Sequence, residues 1–368
     1  MKIGILTLPL HTNYGGILQA YALQTVLERM GHEVVVFDTP KSKMLEGIVS
    51  LFYNVLNCNQ IKCFVNKHGN LLNAVISRKI TPFLSKINRK EICSFKSIRK
   101  TDYDAIVVGS DQIWRAVYFP RWMEQSLDNA YLSFSNGWSI KRISYAASFG
   151  TDEWEYTEEQ TNNCRISIKN FNAVSVREKS GIDLCKKYFG INAQLVLDPT
   201  MLLDVDDYLL LLDKGKTKKS KGNLLCYVLD ETEELIDFKK RLSMTMHLDP
   251  FDVNNPYEND SSKSLKVRTK SSVESWIRGF LDAEFVITDS FHACVFSIIF
   301  RKQFLVFGNS KRGMTRFMSL LNLFGLEDRL VKGNCDFSKL GSIDYDSVYL
   351  KYNVLKKQSM SFLENHLK

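Results

Sequence analysis

Four consecutive segments decide the fold: KIGILTL (residues 2–8), HTNYGG (11–16), ILQAYALQTVLERM (17–30) and EVVVFD (33–38). The first and last are short apolar runs of strand character. Between them Leu18, Tyr21, Ala22, Val26, Leu27 and Met30 recur at the spacing of one helical face. Gly31 follows as the residue that can close a helix in the left-handed conformation. Strand, helix and strand in this order, joined by a right-handed crossover, form a parallel pair. The chain therefore opens as a βαβ unit of an α/β fold.

Working outward, the pattern repeats. DAIVVGS (104–110), RISYAAS (142–148), AVSVRE (173–178) and AQLVLDP (193–199) read as further strands, which extends a first α/β domain over residues 1–210. DKGKTKKSKG (213–222) holds five lysines among glycines, the signature of a solvated linker. NLLCYVLD (223–230), the helical ETEELIDFKKRL (231–242), EFVITDS (284–290), HACVFSIIFRK (292–302) and FLVFGNS (304–310) then build a second α/β domain over 222–345. Residues 346–368 read as a C-terminal helix packing back on the first domain, and residues 47–98 as a helical insertion. Two Rossmann-like domains of this kind turn the carboxyl ends of their strands toward a shared cleft, where open parallel sheets bind ligands.

Composition narrows the function classes. A chain of 368 residues with 45% hydrophobic content supports two or three domain cores and excludes disorder and collagen-like repeats. The formal charge of +8 suits phosphates, acidic sugars or an anionic membrane surface, and is too dilute for nucleic acid. The first residues lack the basic n-region and cleavage site of a signal peptide. The apolar stretches Gly47 to Leu56 and Ala293 to Phe300 fall short of the roughly 20 residues that cross a bilayer. Eight cysteines form no CxxC pair and six histidines no HxH or HExxH pair, so a cytoplasmic protein without a metal centre is expected. The aromatic, basic region Leu51 to Lys100 would allow peripheral contact with the inner face of the cytoplasmic membrane, ordinary insertion being the plainer reading.

Candidate ligand-binding residues fall at strand ends. Asn13, Tyr14, Gly15 and Gly16 join the first strand to the first helix, where backbone N–H groups can receive an anion; a plain tight turn is the other reading. The G-x-G-x-x-G spacing of a dinucleotide site is absent, which argues against NAD. VVGSDQIW (107–114) brings Ser110, Asp111 and Gln112 to a carboxyl end. There Asp111 binds or deprotonates a hydroxyl, or else caps a helix with Trp114 in the core. SVREKSG (175–181) offers Arg177 for a bidentate grip on carboxylate or phosphate, or for an internal ion pair with a glutamate. Lys311, Arg312 and Arg316 form a second cationic cluster. In VITDSFHACVF (286–296) a strand ends at Thr288, Asp289 or Ser290 caps the next helix, and His292 in its first turn faces the cleft. The helix N-terminus disfavours imidazolium, so proton donation by His292 needs an anionic neighbour, either Asp289 or a bound phosphate.

Taken together, NYGGILQAYALQ (13–24), GSDQIW (109–114), YAASFG (145–150), SVREKSG (175–181), VLDPT (196–200) and TDSFHACVFSIIF (288–300) resemble the polysaccharide pyruvyl transferase family in residues and in order. The resemblance spans residues 1 to about 330. It implies two domains similar to the glycosyltransferase-B architecture, and phosphoenolpyruvate as a donor substrate with no further cofactor. The acceptor it implies is a hexose of a capsular or exopolysaccharide, with a lipid-linked galactose as the expected form. The product would be a cyclic pyruvate ketal across two hydroxyls. His292 matches the family's motif histidine near the donor phosphate. Ser290 and Phe291 stand where other branches carry Arg-Leu or Arg-Phe, so Arg177 or the Lys311, Arg312 and Arg316 cluster would have to supply the cation. Ala293 replaces a frequent glycine. On this reading His292 transfers a proton or stabilises phosphate, and Asp111 or Asp289 activates the hydroxyl. A nucleotide-sugar glycosyltransferase and a catalytically silent sugar- or phosphate-binding module are the alternatives.

Overall fold

The opening βαβ unit consists of β1 (Lys2–Leu6), α1 (Tyr14–Arg29) and β2 (Glu33–Asp38), with β1 and β2 parallel and Ile3 opposite Val34. The side chain of Asn13 caps α1 by accepting the Gly15 N–H at 3.1 Å. At the other end Gly31 takes φ +86°, and the N–H groups of Gly31 and His32 reach back to the carbonyls of Glu28 and Leu27. The computed structural model describes residues 1–10, 13–38, 75–92, 94–123, 125–212, 217–258, 260, 262–308, 314–331 and 340–368.

The remaining strands are β3 (Arg89–Glu91), β4 (Ala105–Val108), β5 (Lys141–Ala147), β6 (Ala173–Val176), β7 (Gln194–Leu195), β8 (Leu224–Tyr227), β9 (Pro250–Phe251), β10 (Phe285–Thr288), β11 (Gln303–Phe307) and β12 (Leu330–Val331). They form two wholly parallel sheets, one in the order β3-β2-β1-β4-β5-β6-β7 and one in the order β12-β11-β10-β8-β9. The α/β class and the two-sheet architecture expected from the periodicity are what the chain adopts.

The described part of residues 47–98, read as a helical insertion, holds both a short helix, Thr81–Leu84, and a strand. Residues 39–74 lie outside the described residues, and beyond them Arg89–Glu91 adds an edge strand to the first sheet, tied by Arg89 to Asp38 at 2.9 Å. Three charged residues in a row carry no apolar alternation, and charge on an edge strand guards against stray pairing. The two-residue strands β9 and β12 are equally illegible in the chain.

Helices α2 (Glu158–Ile168), α3 (Lys179–Leu184), α4 (Glu233–Met246), α5 (Val273–Asp282), α6 (Phe291–Ile299), α7 (Met314–Phe324) and α8 (Tyr345–His366) cover the sheets. Every residue of α6 is buried, as befits a segment apolar on all faces. One apolar core runs from Ile3, Ile5 and Val107 of the first sheet to Val286 and Phe304 of the second, with Trp276 and Phe296 between. The long helix α8 returns to the first sheet: Tyr352 Oη donates to the Met201 carbonyl at 2.7 Å, and Ser359 Oγ accepts the Leu197 N–H at 2.9 Å. Among the described residues no helix is long and apolar enough to cross a membrane.

Candidate active site

The carboxyl ends of β4, β6 and β7 deliver charged residues to one point. Arg177, just past β6, is enclosed with only 1% of its side chain exposed. Its Nη1 donates to Asp198 Oδ2 at 2.7 Å and its Nη2 to Asp111 Oδ1 at 2.9 Å, while Nε lies 3.9 Å from Glu178 Oε2. Asp198 is held further by Thr200, whose N–H and Oγ1 donate to Oδ1 at 3.1 and 2.8 Å, and by Ser110 Oγ at 3.2 Å from Oδ2. Burial opposes ionisation of both aspartates, but Arg177 together with His292, with Arg316 at Asp111 and with Thr200 at Asp198, outweighs it and keeps each carboxyl below its ordinary range. Glu178 goes the other way, burial raising its carboxyl above the usual value.

Helix α6 brings His292 from the second sheet onto this cluster. A Cβ on Gly15 would lie 2.1 Å from both Cγ and Nδ1 of His292, so glycine is what lets the imidazole rest on the first turn of α1. His292 Nε2 is buried without a hydrogen-bond partner, 3.8 Å from Asp198 Oδ2. Burial lowers the imidazole pKa; Asp198 and Asp111 pull it up, and Arg177 and Arg316 push it down, leaving it below the ordinary value. The Phe291 ring lies between two guanidiniums, 4.5 Å from that of Arg177 and 5.5 Å from that of Arg316. Arg316, 6% exposed on α7, is brought down to about 10 by burial and by repulsion from Arg177.

Above these groups opens a cleft of about 540 Å³ between the two sheets. Asn13, Asp111, His292 and Arg316 line it together with Asp252, Asn254, Asn255 and the lysine-paired Glu231 and Glu258. Tyr14 closes an end, its Oη donating to the Ser271 carbonyl at 2.9 Å and its ring stacked on Trp276. Lys270 pairs with Glu258 at 3.0 Å. Asp252 stays open to the cleft, yet the surrounding protein desolvates its carboxyl and pushes it up to about 6 against the N–H of Asn254. Among the described residues no group of three or more histidine, cysteine or acidic side chains could hold a metal ion.

The structure sorts the residues that the sequence singles out. Asn13, Tyr14, Asp111, Gln112, Asp289, Ser290, His292 and Arg316 all line the cleft. Gly15 lies beneath the His292 ring, and a Cβ on Gly16 would come within 3.5 Å of Asp111 Oδ2. Two of the residues face inward. Arg177 forms the internal ion pair that is its other reading, with Asp111 and Asp198 as its nearest partners in place of a glutamate. Ser110 is fully buried, its Oγ spent on the Ala146 carbonyl and Asp198. Lys311 and Arg312 lie outside the described residues.

Helix capping also differs. Asp289 accepts the N–H groups of Leu229 and Asp230 at 2.7 and 2.9 Å, so it ties the end of β10 to the loop after β8 and does not cap α6. Ser290 occupies the N-cap position without a side-chain cap bond. The anionic neighbour of His292 is therefore Asp198, not Asp289. Sequence reasoning misses Asp198 and Asp252 as site residues; the first stands within VLDPT, and nothing local marks the second.

Two solved structures share the fold. A glycosyltransferase from Rickettsia africae is 13% identical, with TM-score 0.53, over 100% of this chain and 98% of its own. Alr3699/HepE of Anabaena, determined in complex with UDP and glucose, is 10% identical, with TM-score 0.51, over 99% and 100%. At such identity the likeness is one of fold. It bears out the glycosyltransferase-B-like arrangement. No curated protein matches the chain. The family model described as polysaccharide pyruvyl transferase matches residues 13–311, which takes in the α1 loop, the buried arginine with its two aspartates, and His292. On that match the chain belongs to the polysaccharide pyruvyl transferase family.

Proposed function

We propose that the protein moves the enolpyruvyl-derived group of phosphoenolpyruvate onto two hydroxyls of a hexose and so forms a cyclic pyruvate ketal on a surface polysaccharide precursor. One observation carries the reading: the same cleft is lined by the guanidinium of Arg316 and the nearly buried His292 and by the carboxylate and amides of Asp252, Asn254 and Asn255. A small trianion suits the first pair and a polyhydroxyl sugar the second group.

The chemistry divides accordingly. A proton from His292 adds to the methylene carbon of the donor and makes its neighbouring carbon electrophilic. A sugar hydroxyl attacks that carbon and loses its proton. A second hydroxyl then displaces the phosphate, which leaves with the electron pair of the C–O bond and takes up a proton. Arg316 supplies the charge that the family motif places at Ser290, since Arg177 is committed to the aspartates. Of the cleft carboxylates, Asp252, held near 6, matches the task of accepting a hydroxyl proton better than Asp111, which Arg177 keeps ionised and weakly basic.

Thermal unfolding with phosphoenolpyruvate and with a panel of uridine, guanosine and cytidine nucleotides tests the proposal, because a ligand bound only by the native state raises the melting temperature. Stabilisation by phosphoenolpyruvate alone is expected, lost in Arg316→Met. Stabilisation by a nucleotide alone would overturn the donor assignment in favour of glycosyl transfer.

A further inference from the structure

We propose that Asp198 is the positioning residue for His292: reaching across the junction of the two sheets, it anchors Nε2 and leaves Nδ1 to carry the transferred proton when the donor binds. The proposal rests on phosphoenolpyruvate being the donor.

Three observations support it. Asp198 Oδ2 lies 3.8 Å from His292 Nε2, and that nitrogen is buried with no hydrogen-bond partner. An approach of roughly 1 Å converts the gap into a hydrogen bond. Asp198 itself is immobilised by Arg177, Thr200 and Ser110, so the movement falls to α6. Finally, Nδ1 lies over Gly15 in the first turn of α1, whose Gly15 N–H is held by Asn13 and whose helix end carries partial positive charge. With Nε2 given to Asp198, Nδ1 is the nitrogen placed beside a bound phosphate.

The charges around the ring decide when it is protonated. Asp198 and Asp111 face it with negative charge, and Arg177 and Arg316 with positive charge; the first turn of α1 adds partial positive charge. In the free protein burial and the two arginines hold the imidazole below its ordinary value against the two aspartates. A donor trianion tips the balance, so donor binding draws one proton from solvent onto His292 and the ion pair with Asp198 tightens. The proton used in the reaction thus arrives with the substrate, and the approach of α6 and protonation become one event.

Two measurements on the full chain test this. In nitrogen-15 NMR of histidine-labelled protein, with the resonance assigned through His292→Gln, wild-type His292 should titrate below the ordinary value. It should rise to stand above about pH 8, by about two units or more, on saturation with phosphoenolpyruvate. Asp198→Asn should abolish that rise. Asp198→Glu, which keeps the charge beside Arg177, should restore it in part. An unchanged His292 titration in a folded Asp198→Asn protein would overturn the assignment. Calorimetry of phosphoenolpyruvate binding in buffers of different ionisation enthalpy needs no variant; it should show close to one proton taken up per donor near pH 7.5, and none would refute the coupling. Absence of any phosphoenolpyruvate binding would remove the donor reading instead, while the titrations without donor would still decide whether Asp198 sets the charge of His292, since its loss must lower the wild-type value.

Discussion

Replacing Arg177 by methionine separates a structural guanidinium from a ligand-binding one. The side chain is 1% exposed and bonds two carboxylates at 2.7 and 2.9 Å. Methionine fills similar space but leaves Asp111 and Asp198 buried without their cation. Removing one partner of a buried ion pair costs about 3–5 kcal/mol. For a cooperative unit of 150–250 residues, each kcal/mol lowers Tm by about 2–4 °C, so a fall of roughly 6–20 °C is expected. The pH dependence gives a second signature. Both aspartates are held below their ordinary range, so the stability they contribute is present above about pH 4 and lost as pH falls through their depressed values. In the variant burial loses its main opponent, with only Arg316, His292 and Thr200 left against it, so both carboxyls move up. The gap between the two proteins should therefore be widest at pH 8 and narrow toward pH 5. Urea unfolding at the two pH values measures it. A gap below about 1 kcal/mol, or one independent of pH, would refute the reasoning and return Arg177 to the ligand-binding role its place in SVREKSG suggests.

Three further outcomes are expected. Gly15→Ala should destabilise by about 1–3 kcal/mol despite the better helix propensity of alanine, since the methyl would overlap the proximal atoms of the imidazole; a Tm equal to wild type would show that the ring can move aside. Asp252→Asn should reduce turnover by about 100-fold or more while leaving stabilisation by phosphoenolpyruvate intact. Wild-type turnover should rise with pH through about 6, where this carboxyl ionises, and the variant should lack that limb. Asp289→Ala should cost about 1–3 kcal/mol by stripping the acceptor from the Leu229 and Asp230 N–H groups, with faster hydrogen exchange at those two amides as the check.

Much of the molecule is legible in the chain. Period-3.6 spacing from Leu18 to Met30 and the apolar runs around it are enough for the βαβ unit, because a parallel strand must be apolar on both faces and its crossover helix on one. The same logic locates β4 to β8, β10 and β11. Strand-end motifs likewise point to Asp111 and His292, since the topology of a parallel sheet sends the residues after each strand to the cleft. The three-residue β3 and the two-residue β9 and β12 leave no such trace.

Only the tertiary structure decides which charged residues face ligand and which face one another. Arg177 and Asp198 are 21 positions apart, and Arg177 and Asp111 are 66 apart. Their pairing depends on the order of β4, β5, β6 and β7 in the sheet, which no local pattern encodes. The exchange of Asp289 for Asp198 as the neighbour of His292 has the same origin. Sequence places a carboxylate near a histidine by counting along one helix. Packing places another from the opposite sheet against it, because Gly15 leaves room for the ring and Arg177 holds Asp198 in place. Local periodicity comes from backbone geometry and burial, and it can be read in one dimension. Charge pairing across a domain junction is a sum over neighbours that exist only once the sheets have packed.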